Sequence, residues 1–339
     1  MENCAKRDGG NEAALLERIV IYMLPTASNS AFSFKNYASD RRVMVEERLE
    51  QYLIHNDPQK LWDSMRYSVL SGGKRLRALL CLAAAEAIKP HEELSDLVLP
   101  CACAIEMVHA MSLIHDDLPS MDNDDIRRGK PTNHKVFGEA MALLAGDALL
   151  MLANEILIDE TPTKVDPSIL LSVVKELSIA TGAHGMVGGQ VEDMNFTGAF
   201  DQGHANKEFV DENILSSIHR RKTGALITFS IWSGARLVGA DEQQLIDLKR
   251  FGEILGLAFQ ITDDLLDVTG DISTLGKTPG KDEASQKATW VRLFGIDGSR
   301  QRLKELESEG LGILDSIGIE IGSAPDLNEL LKYAIHRVN

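Results

Sequence analysis

The sequence predicts an all-α protein built as one helical bundle. No proline occurs between Pro167 and Pro279, and the intervening chain is rich in Leu, Ile, Ala, Glu and Gln, with apolar residues spaced three to four apart. No alternating strand pattern competes with this periodicity. Six of the other prolines are expected in short segments that separate helices: Pro58, Pro90, Pro100, Pro119, Pro131 and Pro162. We expect ten or more helices in one domain, residues 36–339, after a weakly ordered segment, residues 1–35.

Composition narrows the class of protein. With 339 residues, 44% of them hydrophobic, the chain can bury a large core. A net charge of −16 argues against nucleic acid or an anionic membrane as the main partner. The four cysteines show neither zinc-ligand spacing nor a disulfide framework, which favours a reducing compartment, and Cys101 and Cys103 are expected to pack as small apolar residues.

The sequence shows no targeting or membrane signal. No apolar run is expected to reach the length of a transmembrane span. The first 35 residues carry Glu2, Asp8, Glu12 and Glu17, whereas transit peptides are poor in acids. Organelle targeting is therefore not visible in the residues themselves.

The first charged motif along the chain is MRYSVLSGGKRLRALL. Gly72 and Gly73 are expected to end one helix, and Lys74, Arg75 and Arg77 follow at the start of the next. A helix N-terminus with several cations is a site for an anion. The alternative is a helix C-cap followed by solvated basic residues.

An acidic cluster lies directly before a basic one in HAMSLIHDDLPSMDNDDIRRGKPTNH. The acids are Asp116, Asp117, Asp122, Asp124 and Asp125, and the bases are Arg127, Arg128 and Lys130. Carboxylates at this density repel one another unless a multivalent cation neutralises them, which favours a hard ion such as Mg²⁺. Guanidinium groups match phosphate oxygens, so the pattern predicts a metal-bridged phosphate or diphosphate site.

Spacing predicts how this cluster folds. On a continuous helix Asp122 would lie about 240° around the axis from Asp116, so we expect Pro119 to interrupt the helix and a bulge to return Asp122 to the pair. His109 shares the helix face of Asp116 about two turns earlier. A single histidine in such a place is more often a satisfied core residue, and His115 is expected to point elsewhere and to have no role.

A second acidic cluster occurs far downstream, in QITDDLLD. Asp263 and Asp267 are four residues apart and about 40° apart around a helix, so they share a face without any bulge. Both clusters close long apolar segments, where negative charge opposes the helix dipole, and this favours a bound cation over solvated surface charge. Facing each other across a bundle, they would line the mouth of one cavity.

Three shorter segments supply further candidates. GMVGGQVED combines glycines with Gln190 and Asp193, which indicates either a close helix contact or a cavity lining. HRRKTGAL places Lys222 and Thr223 near an apolar face, where an amine is costly to bury without an anion. Lys277, Lys281 and Lys287 follow the second acidic cluster and are expected to close over the same anion, although exposed loop lysines are the ordinary alternative.

Together these motifs resemble the trans-isoprenyl diphosphate synthases, most closely the geranylgeranyl diphosphate synthases of plants and cyanobacteria. The resemblance runs from about residue 33 to the C-terminus, through GGKRLR, MSLIHDDLPSMDNDDIRRGKPTNHKVFGE, LAGDALL, GGQVEDM, KTGAL, FQITDDLLDVTGD and LGKTPGKD. It implies the all-α isoprenoid synthase-type fold around a deep central cavity, a homodimer, about three Mg²⁺ ions per active site, and a chloroplast location, with the cytoplasm as the alternative.

The resemblance also implies roles for individual residues. Mg²⁺ ions bridging the allylic diphosphate would be held by Asp116, Asp117 and Asp122, and a further Mg²⁺ by the second cluster, Asp263, Asp264 and Asp267. The allylic diphosphate would be contacted by Arg127, Lys222, Thr223, Gln260, Lys277 and Lys287. Isopentenyl diphosphate would be held by Lys74, Arg77, His109 and Arg128. This role replaces the interpretation of His109 as a satisfied core residue.

The implied reaction is a prenyl transfer. The allylic C–O bond breaks, the isopentenyl double bond attacks the carbocation, and proton loss gives the longer prenyl diphosphate. Met111 and Ser112, one turn before the first cluster, are the candidates for the cavity floor that sets product length. The implied product has twenty carbons, and a farnesyl or geranylfarnesyl product is the alternative.

The sequence departs from the family pattern at several positions. Ala78 replaces the usual proline, which is expected to loosen the basic loop, and Ala110 replaces threonine, which is expected to enlarge the cavity. Trp290 and Val291 stand where Tyr-Pro is usual. Ala85 stands four residues after Cys81, where the CxxxC pair that recruits a small subunit would have its second cysteine. The pair is therefore incomplete, and a heterodimer stays an open alternative.

Three other functions compete with a synthase. A non-catalytic regulatory subunit is disfavoured by the intact aspartates of both clusters. A class I terpene cyclase would need no second basic site, and its second cluster typically contains Asn, Ser and Glu. A metal phosphohydrolase using His115 and Asp116 would need further histidine ligands and would leave the GGKR and Arg-Arg segments without a role.

Overall fold

The computed structural model describes residues 34–89, 95–197, 211–269, 289–318 and 327–336. The helices in these ranges are α1 (Phe34–Tyr52), α2 (Gln59–Val69), α3 (Leu76–Ile88), α4 (Ser95–Asp116), α5 (Asn133–Phe137), α6 (Glu139–Asp159), α7 (Pro167–Thr181), α8 (Met186–Thr197), α9 (Glu212–His219), α10 (Ala225–Leu237), α11 (Glu242–Thr269), α12 (Trp290–Ser316) and α13 (Leu327–His336). A π-helical segment, Arg220–Gly224, joins α9 to α10, and a small hairpin is formed by β1 (Ile126–Arg127) and β2 (Lys130–Pro131). The all-α prediction is confirmed, and the predicted weakly ordered segment lies outside the described residues up to residue 33.

Helix α4 forms the centre of the bundle. It packs against α3, α6 and α10, and most of its middle is apolar and buried, apart from Glu106 and His109. Ile105, Met107 and Val108 are completely buried there. Cys101 and Cys103 are also completely buried, which confirms that they pack as apolar residues. The first acidic cluster therefore begins at the end of a helix that is buried in the core.

The second acidic cluster is positioned by α11, which packs between α10 and α12. Small residues on α11 allow a close approach: a Cβ on Gly256 would lie 2.7 Å from the Cα of Gly224, and one on Gly252 would lie 2.7 Å from the Cα of Thr228. These contacts hold the π-helical segment directly against α11. The last two turns of α11 then carry Asp263, Asp264 and Asp267 beside it.

One proline prediction was wrong. Pro100 lies inside α4 instead of in a connecting segment. It is the sixth residue of the helix, so its missing N–H removes one backbone bond near the start of α4 while the long apolar run continues into the core. Pro58 precedes α2 and Pro119 follows α4, as predicted.

Two helices are longer and more apolar than the sequence analysis expected. The windows Asp96–Asp116 and Glu139–Asp159 have the length and hydropathy of a membrane span. In the first, 83% of the window is buried inside the protein, so that α4 is explained as a core helix. In the second, 39% is buried, because one face of α6 packs on α4 and the other is exposed.

Candidate active site

The first acidic cluster folds back on the end of α4. The helix ends at Asp116, Pro119 lies in the turn that follows, and the backbone N–H of Asp122 donates to the carbonyl oxygen of Asp116 at 2.8 Å. Asn123 next to it has a φ of +49°, a left-handed conformation that asparagine tolerates. The predicted interruption after the aspartate pair is confirmed, and it brings Asp122 back to Asp116.

The hairpin returns Arg127 to this cluster. Its turn contains Arg128 and Gly129, both with positive φ, and the Arg127 guanidinium donates from Nε to both carboxylate oxygens of Asp117, at 2.8 and 3.0 Å. Burial raises the pKa of Asp117, and Arg127 opposes that shift. Asp117 and Arg127 therefore contact each other in the structure, whereas the resemblance implies Mg²⁺ as the ligand of Asp117 and the allylic diphosphate as the ligand of Arg127.

Helix α2 fixes the position of the hairpin. The Asn133 amide donates to the Ser64 carbonyl oxygen at 2.9 Å and to Ser68 Oγ at 2.8 Å, while Ser64 Oγ donates to the Asn133 side-chain oxygen. The Tyr67 hydroxyl donates to the Pro131 carbonyl oxygen at 2.7 Å. These bonds, of which the two between Asn133 and Ser64 are buried, hold the strand after Arg128 against the body of the bundle.

The double-glycine loop makes room for the second arginine. Gly72 and Gly73 have φ values of +85° and +135°, and the Arg128 guanidinium donates to the Gly72 carbonyl oxygen. A Cβ on Gly73 would lie 3.0 Å from the central guanidinium carbon of Arg128. Glycine is required here both for the backbone conformation and for the contact with Arg128.

A basic pocket lies between α2, α4, the double-glycine loop and the hairpin. Its walls contain four cationic side chains, Arg75, Arg127, Arg128 and Lys130, against two carboxylates, Glu106 and Asp117. His109 also lines it, and burial together with the neighbouring arginines lowers the pKa of His109 well below its usual range. An imidazole that is hard to protonate beside an excess of arginines indicates a pocket that is suited to an anion.

The remaining candidates for isopentenyl diphosphate, Arg77 and Lys74, are not among the residues that line this pocket. Arg77 is in the first turn of α3, and burial lowers its pKa, while Glu106 and Asp263 oppose the shift. Arg77 therefore interacts electrostatically both with Glu106, which lines the basic pocket, and with Asp263 of the second acidic cluster. Lys74 is exposed, and its ammonium lies 5.3 Å from the ring centre of Tyr333 on α13.

The π-helical segment reaches both acidic clusters. Lys222 Nζ contacts Asp193 Oδ2 at 2.5 Å and acts electrostatically on Asp116. Thr223 Oγ1 donates to Gln260 Oε1 on α11 at 2.9 Å. A Cβ on Gly189 of α8 would overlap the backbone nitrogen of Lys222, so the predicted close packing of GMVGGQVED is confirmed.

The acids of the second cluster have different surroundings. Asp264 is buried, and its two oxygens accept hydrogen bonds from Gln260 Nε2 at 3.1 Å and from the backbone N–H of Trp290 at 2.8 Å. Asp263 is partly exposed, and Asp267 is buried one turn later on the face that it shares with Asp263. Asp264 is therefore tied to Gln260 and to the start of α12.

The acidic residues fit a Mg²⁺ ion that is bound by one or two carboxylates together with substrate phosphates and water. Burial, with the charges of Asp122 and Asp117 acting against those of Lys222 and Arg127, raises the pKa of Asp116 to about 6, so a cation there would relieve a real electrostatic cost. Within the described parts of the chain no three acidic, histidine or cysteine side chains surround a common point. Mg²⁺ commonly binds in this manner, through one or two carboxylates completed by substrate phosphates and water.

Several predicted residues lie outside this arrangement. Lys277 and Lys287 are outside the described residues. Met111 is buried in the core and Ser112 Oγ donates to the His109 carbonyl oxygen at 2.9 Å, but neither lines the basic pocket. His115 lies against Gly146 and contacts the Leu143 carbonyl oxygen at 3.1 Å, so it points away from the basic pocket, as predicted.

Four further residues shape the site: Arg75 was named above only as part of the basic motif and Trp290 only as a departure from the family pattern, while Glu106 and His219 were not recognised. Arg75 has a φ of +51°, is buried, and donates to the Val69 carbonyl oxygen at 2.8 Å. Glu106 is buried beside it, and its position one turn before His109 was a readable signal. Trp290 and His219 join at 3.1 Å behind the second cluster, and no spacing in the sequence indicates that pair.

Two departures from the family pattern can now be placed. The backbone N–H of Ala78 donates to Glu106 Oε1 at 3.2 Å, a bond that proline could not form, so this residue adds a contact to the basic loop where we expected it to loosen the loop. Ala110 lines the basic pocket beside His109.

Comparison with known proteins identifies the family. Residues 58–310 match the family model described as polyprenyl synthetase. The chain is 45% identical over 314 residues to a chloroplastic geranylgeranyl pyrophosphate synthase of Catharanthus roseus, covering 92% of this chain and 84% of that protein. It is 44% identical over 272 residues to a farnesyl diphosphate synthase of Geobacillus stearothermophilus, covering 80% and 88%.

Solved structures agree with this assignment. An FPP/GFPP synthase from Zymomonas mobilis, in its apo form, superimposes with a TM-score of 0.76 at 33% identity, covering 90% of this chain and 99% of that one. The matching range includes both acidic clusters, the double-glycine loop and the hairpin arginines. This chain belongs to the polyprenyl synthetase family.

Proposed function

We propose that this protein is a Mg²⁺-dependent trans-prenyltransferase that condenses isopentenyl diphosphate with dimethylallyl, geranyl and farnesyl diphosphates to make geranylgeranyl diphosphate. The observation that carries the proposal is the basic pocket with its excess of cations, directly beside an acidic cluster that favours a divalent metal. Two neighbouring sites, one cationic and one suited to metal-bound diphosphate, match a reaction between two diphosphate esters.

Each site has its own residues. We assign isopentenyl diphosphate to Lys74, Arg77, His109 and Arg128. We assign the allylic diphosphate to Arg127, Lys222, Thr223 and Gln260, with Lys277 and Lys287 as further contacts. Asp116, Asp117, Asp122, Asp263 and Asp267 would hold the metal, with Asp264 acting mainly through its bonds to Gln260 and Trp290.

The reaction needs negative charge to be stabilised on the leaving group. Bound Mg²⁺ would supply electrostatic stabilisation of the departing diphosphate. Arg127 and Lys222 stabilise the same charge as the allylic C–O bond breaks. His109 and the arginines of the basic pocket orient the isopentenyl group, so that its double bond attacks the allylic carbocation and forms the new C–C bond. A proton from the former isopentenyl unit then passes to the released diphosphate.

Product length is the finer part of the proposal. The relatives are named for products that differ in length, a geranylgeranyl, a farnesyl and a farnesyl or geranylfarnesyl diphosphate. The DDxxxxD spacing of Asp116, Asp117 and Asp122 resembles the twenty-carbon synthases of plants, and this supports the geranylgeranyl product. Met111 and Ser112 stay the proposed floor of the elongation cavity.

Partners and location are proposed by the same resemblance. We propose a homodimer, and a heterodimer with a small regulatory subunit is the alternative that the incomplete CxxxC pair disfavours. We propose the chloroplast as the compartment, as in the Catharanthus roseus relative, with the cytoplasm as the alternative.

A product assay tests the proposal. Purified full-length protein is incubated with Mg²⁺, isopentenyl diphosphate and each allylic diphosphate in turn, and the dephosphorylated alcohols are sized by chromatography. A single twenty-carbon alcohol that disappears with EDTA and returns with added Mg²⁺ is the expected result. A different chain length would overturn the product assignment alone. No elongation with any starter would overturn the catalytic proposal and favour a regulatory subunit.

A further inference from the structure

A circuit of hydrogen bonds lies behind the second acidic cluster, running through Thr223, Gln260, Asp264, Trp290 and His219. The backbone from His219 to Thr223 closes it. Thr223 Oγ1 donates to Gln260 Oε1 at 2.9 Å, and Gln260 Nε2 donates to Asp264 Oδ1 at 3.1 Å. These three residues belong to the allylic side of the proposed site. Their orientations depend on one another, because Gln260 must present its oxygen to Thr223 and its nitrogen to Asp264.

Trp290 completes this circuit from the other side. Its backbone N–H donates to Asp264 Oδ2 at 2.8 Å, and its indole Nε1–H donates to His219 Nδ1 at 3.1 Å. All three residues are buried, with 2% of Trp290, 3% of Asp264 and 6% of His219 exposed. Buried bonds of this length are costly to break, since a buried donor or acceptor that loses its partner cannot bond to water instead.

His219 connects the circuit to the diphosphate-binding segment through the backbone. It is the last residue of α9, and the π-helical segment Arg220–Gly224 with Lys222 and Thr223 begins at the next residue. Burial lowers the pKa of His219 to about 4, so the ring is neutral near pH 7 and Nδ1 can accept a hydrogen bond. Holding His219 therefore fixes the start of the segment.

We propose that Trp290 is a positioning residue for the allylic diphosphate site, fastening the π-helical segment to Asp264 through its indole N–H and its backbone N–H. The inference rests on the proposed prenyl transfer and adds Trp290 and His219 to it. A π-helical turn is an irregular conformation, and it needs contacts beyond its own backbone bonds to stay in one register. Trp290 provides such a contact from a helix, α12, that shares no sequence proximity with the segment.

The substitution Trp290→Phe tests the indole bond alone. Phenylalanine keeps an aromatic ring and the backbone N–H to Asp264, and it removes the donor to His219. We expect KM for the allylic diphosphate to rise about fivefold, the size expected for one buried hydrogen bond, while KM for isopentenyl diphosphate stays within twofold. Trp232→Phe is the matched control, because Trp232 on α10 is a partly buried tryptophan that packs between apolar residues. The control should leave both KM values unchanged.

A double variant separates positioning from packing damage. Trp290→Phe leaves the His219 ring buried without its donor, whereas Trp290→Phe combined with His219→Leu removes both polar partners. We expect the double variant to recover most of the lost thermal stability and to keep the raised allylic KM. Recovery of the allylic KM along with stability would show that Trp290 acts only through packing and would overturn the proposal.

A spectroscopic measurement checks the bond without catalysis. In protein labelled with ¹⁵N at tryptophan, Trp290→Phe identifies the Trp290 indole resonance, which should exchange slowly with solvent and should shift on His219→Leu. A resonance that exchanges quickly or ignores the His219 substitution would overturn the proposal. Wild-type protein that elongates no starter would instead overturn the proposed function, and the indole measurement would still decide the contact.

Discussion

The two acidic clusters of this site are held in place by different kinds of bond. On the turn side, residues 71–78 and 116–133, side-chain pairs such as Arg127 with Asp117 are accompanied by bonds that end on the backbone. These are the Asp122 N–H on the Asp116 carbonyl, the Arg128 guanidinium on the Gly72 carbonyl, and the Tyr67 hydroxyl on the Pro131 carbonyl. On the helix side, residues 219–224, 260–267 and 290, the bonds run mainly between side chains of three helical segments.

This difference explains where rigidity comes from on each side. The turn side contains unusual backbone conformations, both at glycine, as at Gly73 with a φ of +135°, and at Arg75, which has a φ of +51° although it is not glycine. The helix side has regular backbone except at the π-helical segment, and its geometry comes from tertiary contacts such as Trp290 to His219. Substitutions should therefore damage the two sides in different ways.

The largest effect is expected for Asp116→Asn on the turn side. Asn keeps the shape but removes the charge that a metal needs, and loss of a metal-mediated interaction of several kcal/mol should lower kcat by about 10³-fold. Steady-state assays over a range of Mg²⁺ concentrations measure the change. Asp125→Asn is the matched control, because Asp125 is 70% exposed and pairs with Lys135 on the surface. Equal losses in both variants would contradict a specific role for Asp116.

The next effect concerns stability on the helix side. The pKa of His219 is about 4 in the folded protein and about 6.5 when unfolded, so the unfolded chain binds the extra proton between these values. Stability from neutral His219 is complete above pH 6.5 and is lost as pH falls toward 4, by about 3 kcal/mol in total. Asp193 opposes this shift and Lys222 reinforces it.

His219→Gln should remove this dependence, because glutamine stays neutral and can still accept from the Trp290 indole. Urea unfolding at pH 7 and pH 4.5 measures the free energy of unfolding of both proteins. The advantage of the wild type over the variant should shrink by about 2 to 3 kcal/mol at the lower pH. An advantage that is the same at both pH values would show that His219 does not titrate as the structure indicates.

A smaller effect is expected for Arg127→Lys. Lysine keeps the positive charge but cannot form the two-oxygen contact that Arg127 makes with Asp117. KM for the allylic diphosphate should rise about tenfold, equivalent to about 1.4 kcal/mol. Arg128→Lys should raise KM for isopentenyl diphosphate instead, because Arg128 contacts Ser71 and Gly72 of the double-glycine loop and not Asp117. The two arginines would have to exchange roles in the proposal if the KM changes were reversed.

The same difference decides what could be predicted from sequence. The turn side was predictable in outline because Pro119, Gly72 and Gly73 act on the local backbone, and the return of Asp122 followed from a six-residue spacing. The shared face of Asp263 and Asp267 followed from helix geometry. The circuit through His219 and Trp290 could not be predicted, because 71 residues separate the two and only packing brings them together.

Pro100 shows the limit of the local rules as well. A proline ordinarily indicates a boundary, yet here the surrounding apolar run and its burial keep α4 continuous through it. The π-helical turn at Lys222 was also invisible, since its residues read as ordinary helix in the sequence. Tertiary contacts with Gly189 and Gly256 determine that conformation.

The smallest expected effect is that of Ala78→Pro on the turn side. Ala78 is the third residue of α3, where proline fits the helix, so the main loss is the N–H that donates to Glu106 Oε1 at 3.2 Å. Glu106 also lies 3.5 Å from the Arg75 guanidinium, so a looser Glu106 should shift the wall of the basic pocket. KM for isopentenyl diphosphate should rise about threefold, equivalent to about 0.65 kcal/mol and at the lower end of the net contribution of a hydrogen bond.

Ala78→Ser is the control for this change, since it keeps the N–H with a small added hydroxyl and should leave that KM unchanged. A rise in the allylic KM instead would mean that the loop communicates with the helix side through Arg77, whose electrostatic neighbours include both Glu106 and Asp263. The turn side and the helix side would then be one coupled unit, and the independence of their supports would be wrong.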